Sequence, residues 1–332
     1  MTTHPSTSPL VSIVIPMLNE IDAIERCLRS LFEQDYPQER IEIVVVDGLS
    51  RDGSREQVIE LAKIHPQIRL LDNPLRTTPR SLNLGVRASR GEVVIILGAH
   101  TRVKSDFVRR NIECMQSLKV LCVGGTQINT GDTLLQRVIG QAMGSGFGIP
   151  TAPYRFNKKP RFVDTVVYAA YKKELFDQVG YFDEKLHISE DAELNWRIRR
   201  AGHQIYFTPE IVSYYYPRKN LAQLAKQFFN YGILRVNVIK KHGDAIKPLH
   251  LLPPLFLLAS SALAIIGFWH PWGWQTVCGL WLAYALYLGL ASALTARQNK
   301  SPYSGLLLPF VFITMQISWA AGFLVGMIKT YK

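Results

Sequence analysis

The chain has 332 residues, 48% of them hydrophobic, and a net charge of +12. No Asp or Glu follows Asp244, and Leu251 to Ala296 contains no Asp, Glu, Lys or Arg. A wholly soluble protein cannot leave so much apolar chain unbroken, so the last third reads as membrane and the acids that can do chemistry lie ahead of it.

The polar N-terminus, residues 1–10, carries two prolines and no apolar core of a secretory signal, and is expected to be flexible. Val11–Ile15 is a β-branched run ending at Pro16, suited to a buried parallel strand. Ile21, Ile24, Leu28, Leu31 and Phe32 then recur at helical spacing, with Asn19 or Asp22 as caps. A second strand is expected over Ile41–Val46, a helix over Ser54–Ile64, a third strand over Ile68–Leu71, a helix over Pro79–Ala88 and a fourth strand over Val93–Leu97. This alternation predicts an α/β domain with a mostly parallel sheet and helices on both faces, over residues 11–216. In such sheets ligands sit beyond the carboxyl ends of the strands.

Residues 217–250 form a basic segment. Arg218, Lys219, Lys226, Arg235, Lys240, Lys241 and Lys247 stand against Asp244 alone. Lying just before an apolar span, the segment favours anionic lipid over nucleic acid as its partner. Within it Leu221, Leu224, Phe228, Phe229 and Tyr231 give a rough apolar face, either an interfacial helix or a surface helix packed on the head. Residues 251–332 form the membrane region, with three spans expected near Leu251–Trp269, Gln275–Ala296 and Gly305–Ile328. The positive-inside rule puts the head in the cytoplasm of a multi-pass inner-membrane protein. Cys27, Cys114, Cys122 and Cys278 lack metal or redox spacing and read as free thiols.

The strand ends carry a consistent set: Asn19 and Glu20 after the first, Asp47 after the second, Gly98, Ala99 and His100 after the fourth. Singly these are turn and cap residues. On successive strand ends they read as a ligand site, where carboxylates accept from ribose or base and Arg76 and Arg80 can neutralise a diphosphate. Further on, Glu190 and Asp191 fall in the first turn of a helix marked by Leu194, Ile198 and Ala201 and ended by Gly202. Acids there are favoured by the helix dipole, and the same field keeps a carboxylate ionised for work as a base.

Pro16, Asn19 and Glu20, then Asp47-Gly48, Asp52-Gly53-Ser54, Asn83-Leu84-Gly85 and Glu190-Asp191 together resemble a family 2 glycosyltransferase of the GT-A fold, through about residue 240. Tyr214–Arg218 and Gln227–Gly232, followed by apolar spans, are similar to the succinoglycan-biosynthesis branch, whose members add sugars to polyprenyl-linked oligosaccharides. The resemblance implies a donor site of Pro16, Asn19, Glu20, Asp47, Arg80, Asn83, Gly98 and Ala99, with Asp47 near the base, Glu20 near the ribose and Arg80 by the diphosphate. It implies Asp191 as catalytic base beside Glu190, a nucleotide-sugar donor (a UDP-sugar), a lipid-linked saccharide acceptor, and a divalent cation, Mn²⁺ or Mg²⁺. The family usually shows Asp-x-Asp at the metal motif and this branch often Asp-Ala-His. Here Gly98 stands where the first acid belongs, leaving His100 as the ligand. Two other functions compete. A degenerate transferase that binds glycan or nucleotide-sugar without turnover would rest on Gly98 alone. A transporter is disfavoured by spans with no ionisable residue inside.

Overall fold

The computed structural model describes residues 8–150, 152–186, 190–243, 246 and 248–328. They divide into two compact units: residues up to Ile128 with Asn157–Tyr215, and Asn129–Phe156 with residues from Tyr216 onward. Asn129–Phe156, which the sequence alone assigns to the head, therefore groups with the C-terminal unit. His187, Ile188 and Ser189, just ahead of the acid pair, and residues 1–7 of the expected flexible N-terminus lie outside the described residues. Pro9 and Leu10 are tied down, through Tyr36 Oη to the Pro9 carbonyl at 2.6 Å and the Glu92 N–H to the Leu10 carbonyl at 2.9 Å.

The first unit is built on β1 (Val11–Met17), β2 (Ile41–Asp47), β3 (Ile68–Asp72), β4 (Val93–Ile96), β5 (Thr101–Val103), β6 (Cys122–Asn129), β7 (Arg161–Val163), β8 (Val167–Lys172) and β9 (Ile205–Tyr215). They form one sheet in the order β3-β2-β1-β4-β8-β6-β9-β5, with β7 on β9. Among β1 to β4 every pairing is parallel, as expected. Beyond β4 the strands turn antiparallel, β8 on both β4 and β6, and β9 on both β5 and β7. The sheet is mixed, its first four strands parallel.

The parallel half follows its sequence closely. Every residue of β2 is buried and β1 nearly so, as strands covered on both faces must be. Pro16 is tolerated because β4 pairs only with Val11–Val14, so the missing N–H falls past the end of that ladder. Helix α1 (Ile24–Phe32) buries Ile24, Cys27, Leu28 and Leu31; α2 covers Ser54–Ile64 and α3 Thr78–Ala88, with Pro79 in its first turn. No side chain caps α1, so the expected capping by Asn19 or Asp22 is absent and Asn19 does other work. Helices α4 (Phe107–Leu118) and α6 (Glu174–Val179) precede α7 (Glu190–Arg200), which stops short of Gly202 at φ 87°.

The second unit holds α5 (Leu134–Met143), α8 (Leu221–Lys241), α9 (Leu252–Ile266), α10 (Pro271–Gln298) and α11 (Ser304–Ile328). Two of these, α10 and α11, are long and apolar enough to cross a membrane. The first of the three expected spans is shorter than its hydropathy suggests. Its helix α9 has 15 residues, about 22 Å, against about 30 Å of hydrocarbon. Helix α8 does not stand alone: Gly232 meets the backbone of Trp319 and Phe323, and Gly322 meets that of Phe229, so closely that a Cβ at either would clash. Small residues permit such backbone approach between apolar helices. Cys27 and Cys122 are buried free thiols as expected, whereas Cys278 is exposed on α10.

Candidate active site

Because β1, β2 and β4 run parallel, their carboxyl ends share one edge, and the loops after them interlock. Asn19, in the left-handed region at φ 55°, donates its N–H to Ser50 Oγ at 2.8 Å and accepts from the Arg51 N–H at 2.9 Å. Asn and Asp tolerate that conformation better than other side chains. Glu20 donates its N–H to Ser54 Oγ at 2.8 Å, and its carboxylate lies 3.3 Å from His100 Nδ1. Asp52 accepts from the Ile21 N–H at 3.0 Å. Burial opposes ionisation of Asp52, but the Ser54 hydroxyl and the N–H groups of Ile21 and Ser54 outweigh it and hold the carboxyl below its usual range.

Asp47, the most deeply placed of the set, is 0% exposed. It accepts from the Ser50 N–H and hydroxyl, the latter at 2.6 Å, and from Arg55 Nη1 at 3.0 Å. Arg55 also bonds Asp72 at 2.7 Å, at the end of β3. Arg55 was not among the residues singled out from sequence, although a cation in the first turn of a helix, against the dipole, is the kind of local misfit that marks a specific partner.

Arg80 and Asn83 face a different segment. Arg80 pairs with Glu184 at 3.0 Å, while Asn83 donates to the Phe182 carbonyl and to Glu184, and accepts from the Phe182 N–H, each at 2.9 Å. The Asn83 hydrogen bond, with Arg80 after it, holds the Glu184 carboxyl below its usual range. These two residues thus clamp the chain leading toward the acid pair. Arg76 also stands at the rim. It is exposed, sits at φ 58° with its Cα 3.5 Å from where a Gly48 side chain would begin, and has no ion-pair partner among the described residues.

At the end of β4, Ala99 is buried in the core and His100 turns out beside Glu20 and the Tyr215 ring, 5.4 Å between centroids. Gly98 is not in a glycine-only conformation. A Cβ there would lie 3.3 Å from Thr101 Oγ1 and 3.5 Å from the Tyr168 ring. The Thr101 hydroxyl, on a residue 2% exposed, has no hydrogen-bond partner, so a donor faces the place of the absent acid. Tyr168 reaches it by a bulge. Val123 pairs with Ala170 but Gly125 with Val167, and Tyr168 takes the extra position at φ 49°. Bulges re-aim side chains, and an aromatic residue there is a genuine outlier. Nothing in the sequence marks it.

Among the described residues no group of three or more His, Cys, Asp or Glu gathers as a metal cage. His100 with Glu20 offers one nitrogen and one carboxylate. That incomplete set fits a cation arriving on a diphosphate, not one held by protein alone.

The second cluster stands at the start of α7. Burial first, and the charge of Asp191 beside it, push the Glu190 carboxyl up to about 8. Asp191 accepts from the Ala192 N–H at 2.7 Å, one of the free donors of the helix end. The helix is locked in place deeper down. Glu193, 0% exposed, is held by Arg197, which also donates to the Gly180 and Tyr181 carbonyls, and Asn195 donates to Thr165 Oγ1 at 2.8 Å. An acid kept protonated beside one at a helix N-terminus can hold a single negative charge for proton abstraction.

Comparison with known proteins bears on this arrangement. The model of glycosyl transferase family 2 matches residues 12–180. The succinoglycan biosynthesis protein ExoA of Rhizobium meliloti (strain 1021) is 31% identical over 322 residues, covering 96% of this chain and 94% of that protein. The dolichyl N-acetyl-alpha-D-glucosaminyl phosphate 3-beta-D-2,3-diacetamido-2,3-dideoxy-beta-D-glucuronosyltransferase of Methanococcus voltae is 32% identical over 265 residues, covering 77% and 82%. Among solved structures, the mannosyltransferase PcManGT from Pyrobaculum calidifontis, in complex with GDP-Man and Mn2+, superposes with a TM-score of 0.62 at 23% identity over 97% of this chain and 88% of that one. That likeness establishes the fold.

Proposed function

We propose that this chain, which belongs to glycosyltransferase family 2 and is a glycosyltransferase with the GT-A fold, moves a sugar with inversion from a UDP-sugar to a hydroxyl of a lipid-linked saccharide. The observation that carries the reading is the Glu190–Asp191 pair on the first turn of a locked helix, with Glu190 pushed up to about 8. Asp191 takes the proton of the acceptor hydroxyl. The acceptor oxygen bonds to the anomeric carbon from the face opposite the nucleotide, and the bond from that carbon to the diphosphate breaks.

The rim binds the donor. Asn19, Glu20 and Asp47 shape the nucleoside side, and Arg76 is a cation with no ion-pair partner among the described residues that can meet the diphosphate. A divalent cation, Mn²⁺ or Mg²⁺, supplies charge neutralisation of the leaving group when bound, and of this chain's residues His100 would hold it, the diphosphate giving the other ligands. Arg80 and Asn83 act on the donor through the loop they clamp. The acceptor is lipid-borne because the second unit carries helices α10 and α11 and an exposed apolar surface. The catalytic unit lies on the cytoplasmic side of the inner membrane, where the basic residues of 217–250 meet anionic lipid.

The purified full chain in detergent, given a panel of nucleotide-sugars with a polyprenyl-linked saccharide, tests this. A glycosylated lipid whose new linkage has the opposite anomeric configuration to the donor is expected. Retention of configuration, or transfer only to soluble sugars, would overturn the reading.

A further inference from the structure

Helices α10 and α11 open a groove of about 490 Å³ where the first ends and the second begins. The groove has two parts. Its mouth carries Arg297, Lys300 and Ser301, and its depth carries Gly289, Ser292 and Pro309. Among the described residues no ion pair or side-chain hydrogen bond engages Arg297 or Lys300, and the chain has no acid after Asp244 to offer either of them. Two cations at the end of apolar helices, with no counterion among the described residues, call for an anion from outside.

Depth says what kind of anion. Helix α10 has 28 residues and α11 25, about 42 and 37 Å, so each outruns a hydrocarbon core of about 30 Å and its charged end emerges among headgroups. Gly289 lies about 12 Å further in than Arg297, within the acyl layer. A Cβ at Gly289 would meet nothing within 4 Å, so the floor is open there. Ser292 lies between the two levels, about 7 Å below Arg297. It is 2% exposed, lines the groove, and its hydroxyl has no hydrogen-bond partner. A buried hydroxyl donor without an acceptor is costly, the more so in hydrocarbon.

We propose that this groove is a binding site for an anionic glycerophospholipid. Its phosphate sits between Arg297 and Lys300, an ester carbonyl accepts from the Ser292 hydroxyl, and an acyl chain lies over Gly289 and Pro309. Basic pockets between membrane helices recognise such headgroups. A polyprenyl phosphate matches the mouth but carries only hydrocarbon at the depth of Ser292, and free phosphate matches neither the depth nor the apolar floor. The site rests on α10 and α11 crossing the bilayer, not on the glycosyl-transfer reading, so the two stand or fall separately.

The test uses the full chain in nonionic detergent, with its thermal unfolding midpoint followed as lipid is added to the micelles. Dioleoyl phosphatidylglycerol should raise the midpoint saturably, and phosphatidylcholine and inorganic phosphate should not. Replacing both exposed cations, Arg297→Gln with Lys300→Gln, should weaken phosphatidylglycerol binding at least tenfold. Ser292→Ala should weaken it about threefold, and should leave unchanged the binding of a diether phosphatidylglycerol that has no ester carbonyl. An unaltered response in the double variant, or equal stabilisation by phosphatidylcholine, would overturn the site. A polyprenyl phosphate that binds more tightly than phosphatidylglycerol would overturn the occupant. Alkaline carbonate extraction reports membrane spanning independently of all these.

Discussion

The two acidic clusters of the catalytic unit use the same side chains to opposite ends. At the rim, Asp47 and Asp52 are surrounded by donors: Ser50, Arg55, Ser54 and the Ile21 N–H. At α7, desolvation and the charge of Asp191 beside it hold the Glu190 proton up to about 8. Hydrogen-bond donors favour the charged form, while burial and like charge favour the neutral one. A rim that must keep its loops in register around a polar ligand needs fixed acceptors. The proposed role at α7, taking a proton from a hydroxyl, needs one available charge. The comparison predicts that damage at α7 appears in turnover and damage at the rim in stability and donor affinity.

The largest effect is expected from Asp191→Asn. Turnover should fall by about 10²–10⁴-fold with donor binding nearly unchanged, the signature of losing a general base. Single-turnover kinetics alongside UDP-sugar binding separate the two, and near-normal turnover would move the role to Glu190. At the rim the counterpart is Arg55→Gln, which leaves the fully buried Asp47 with Ser50 alone. Stability should drop by about 2 kcal/mol, the cost of a charged hydrogen bond lost from a buried carboxylate. Chemical unfolding of the variant measures it, and an unchanged midpoint would mean that Ser50 suffices.

Next in size is Gly98→Asp. The backbone is ordinary there, the nearest atom to a new Cβ is Thr101 Oγ1 at 3.3 Å, and that hydroxyl lacks an acceptor. The new carboxylate should accept from Thr101 and give His100 a companion ligand, raising Mn²⁺ affinity about tenfold in a titration with UDP present. The change expected from Glu190→Gln is one of pH dependence. The native state holds the Glu190 proton up to about 8, against a usual value of 4.5, so it binds that proton more tightly than the unfolded chain does. Stability therefore falls as pH rises from about 4.5 to 8 and is level above. The amide of Glu190→Gln does not titrate and abolishes this slope, so the variant's thermal midpoint relative to the parent should rise between pH 5 and pH 8.

The parallel half of the sheet was legible because strands buried on both faces read as β-branched apolar runs, Val11–Ile15 and Ile41–Val46 each interrupted by one polar residue (Ser12, Glu42) and Val93–Leu97 by none, each followed within a few residues by a polar strand end. The antiparallel half was not. β8 pairs with β4 across a register of Val93 with Lys172, and no local pattern announces a partner so distant. Arg80 and Asn83 were visible as polar residues on a helix, but Glu184 lies about a hundred residues further on. Hydropathy marked the start of the membrane region yet overestimated α9. Its helix ends at Ile266, where Gly267 packs against Trp274 too closely for any side chain. Tyr168 gave no signal at all, since a bulge is set by pairing on both neighbouring strands.

Tyr168 is also where the smallest stability effect should accompany a functional one. Its φ of 49° costs a residue with a side chain about 1–2 kcal/mol, which glycine avoids. Its ring packs partly on the core beside Gly98, and burying part of an aromatic side chain is worth about the same. Tyr168→Gly exchanges one for the other, so stability should move by less than about 1 kcal/mol. Donor binding should not be spared in the same way, because the ring forms the wall at the motif where an acid is missing. Calorimetry with UDP should show weaker binding for Tyr168→Gly and for Tyr168→Phe alike if the phenol hydroxyl is the contact, but only for Tyr168→Gly if the wall is. A variant with unchanged UDP affinity and a large gain in stability would instead make the bulge a purely local strain, and would remove Tyr168 from the donor site.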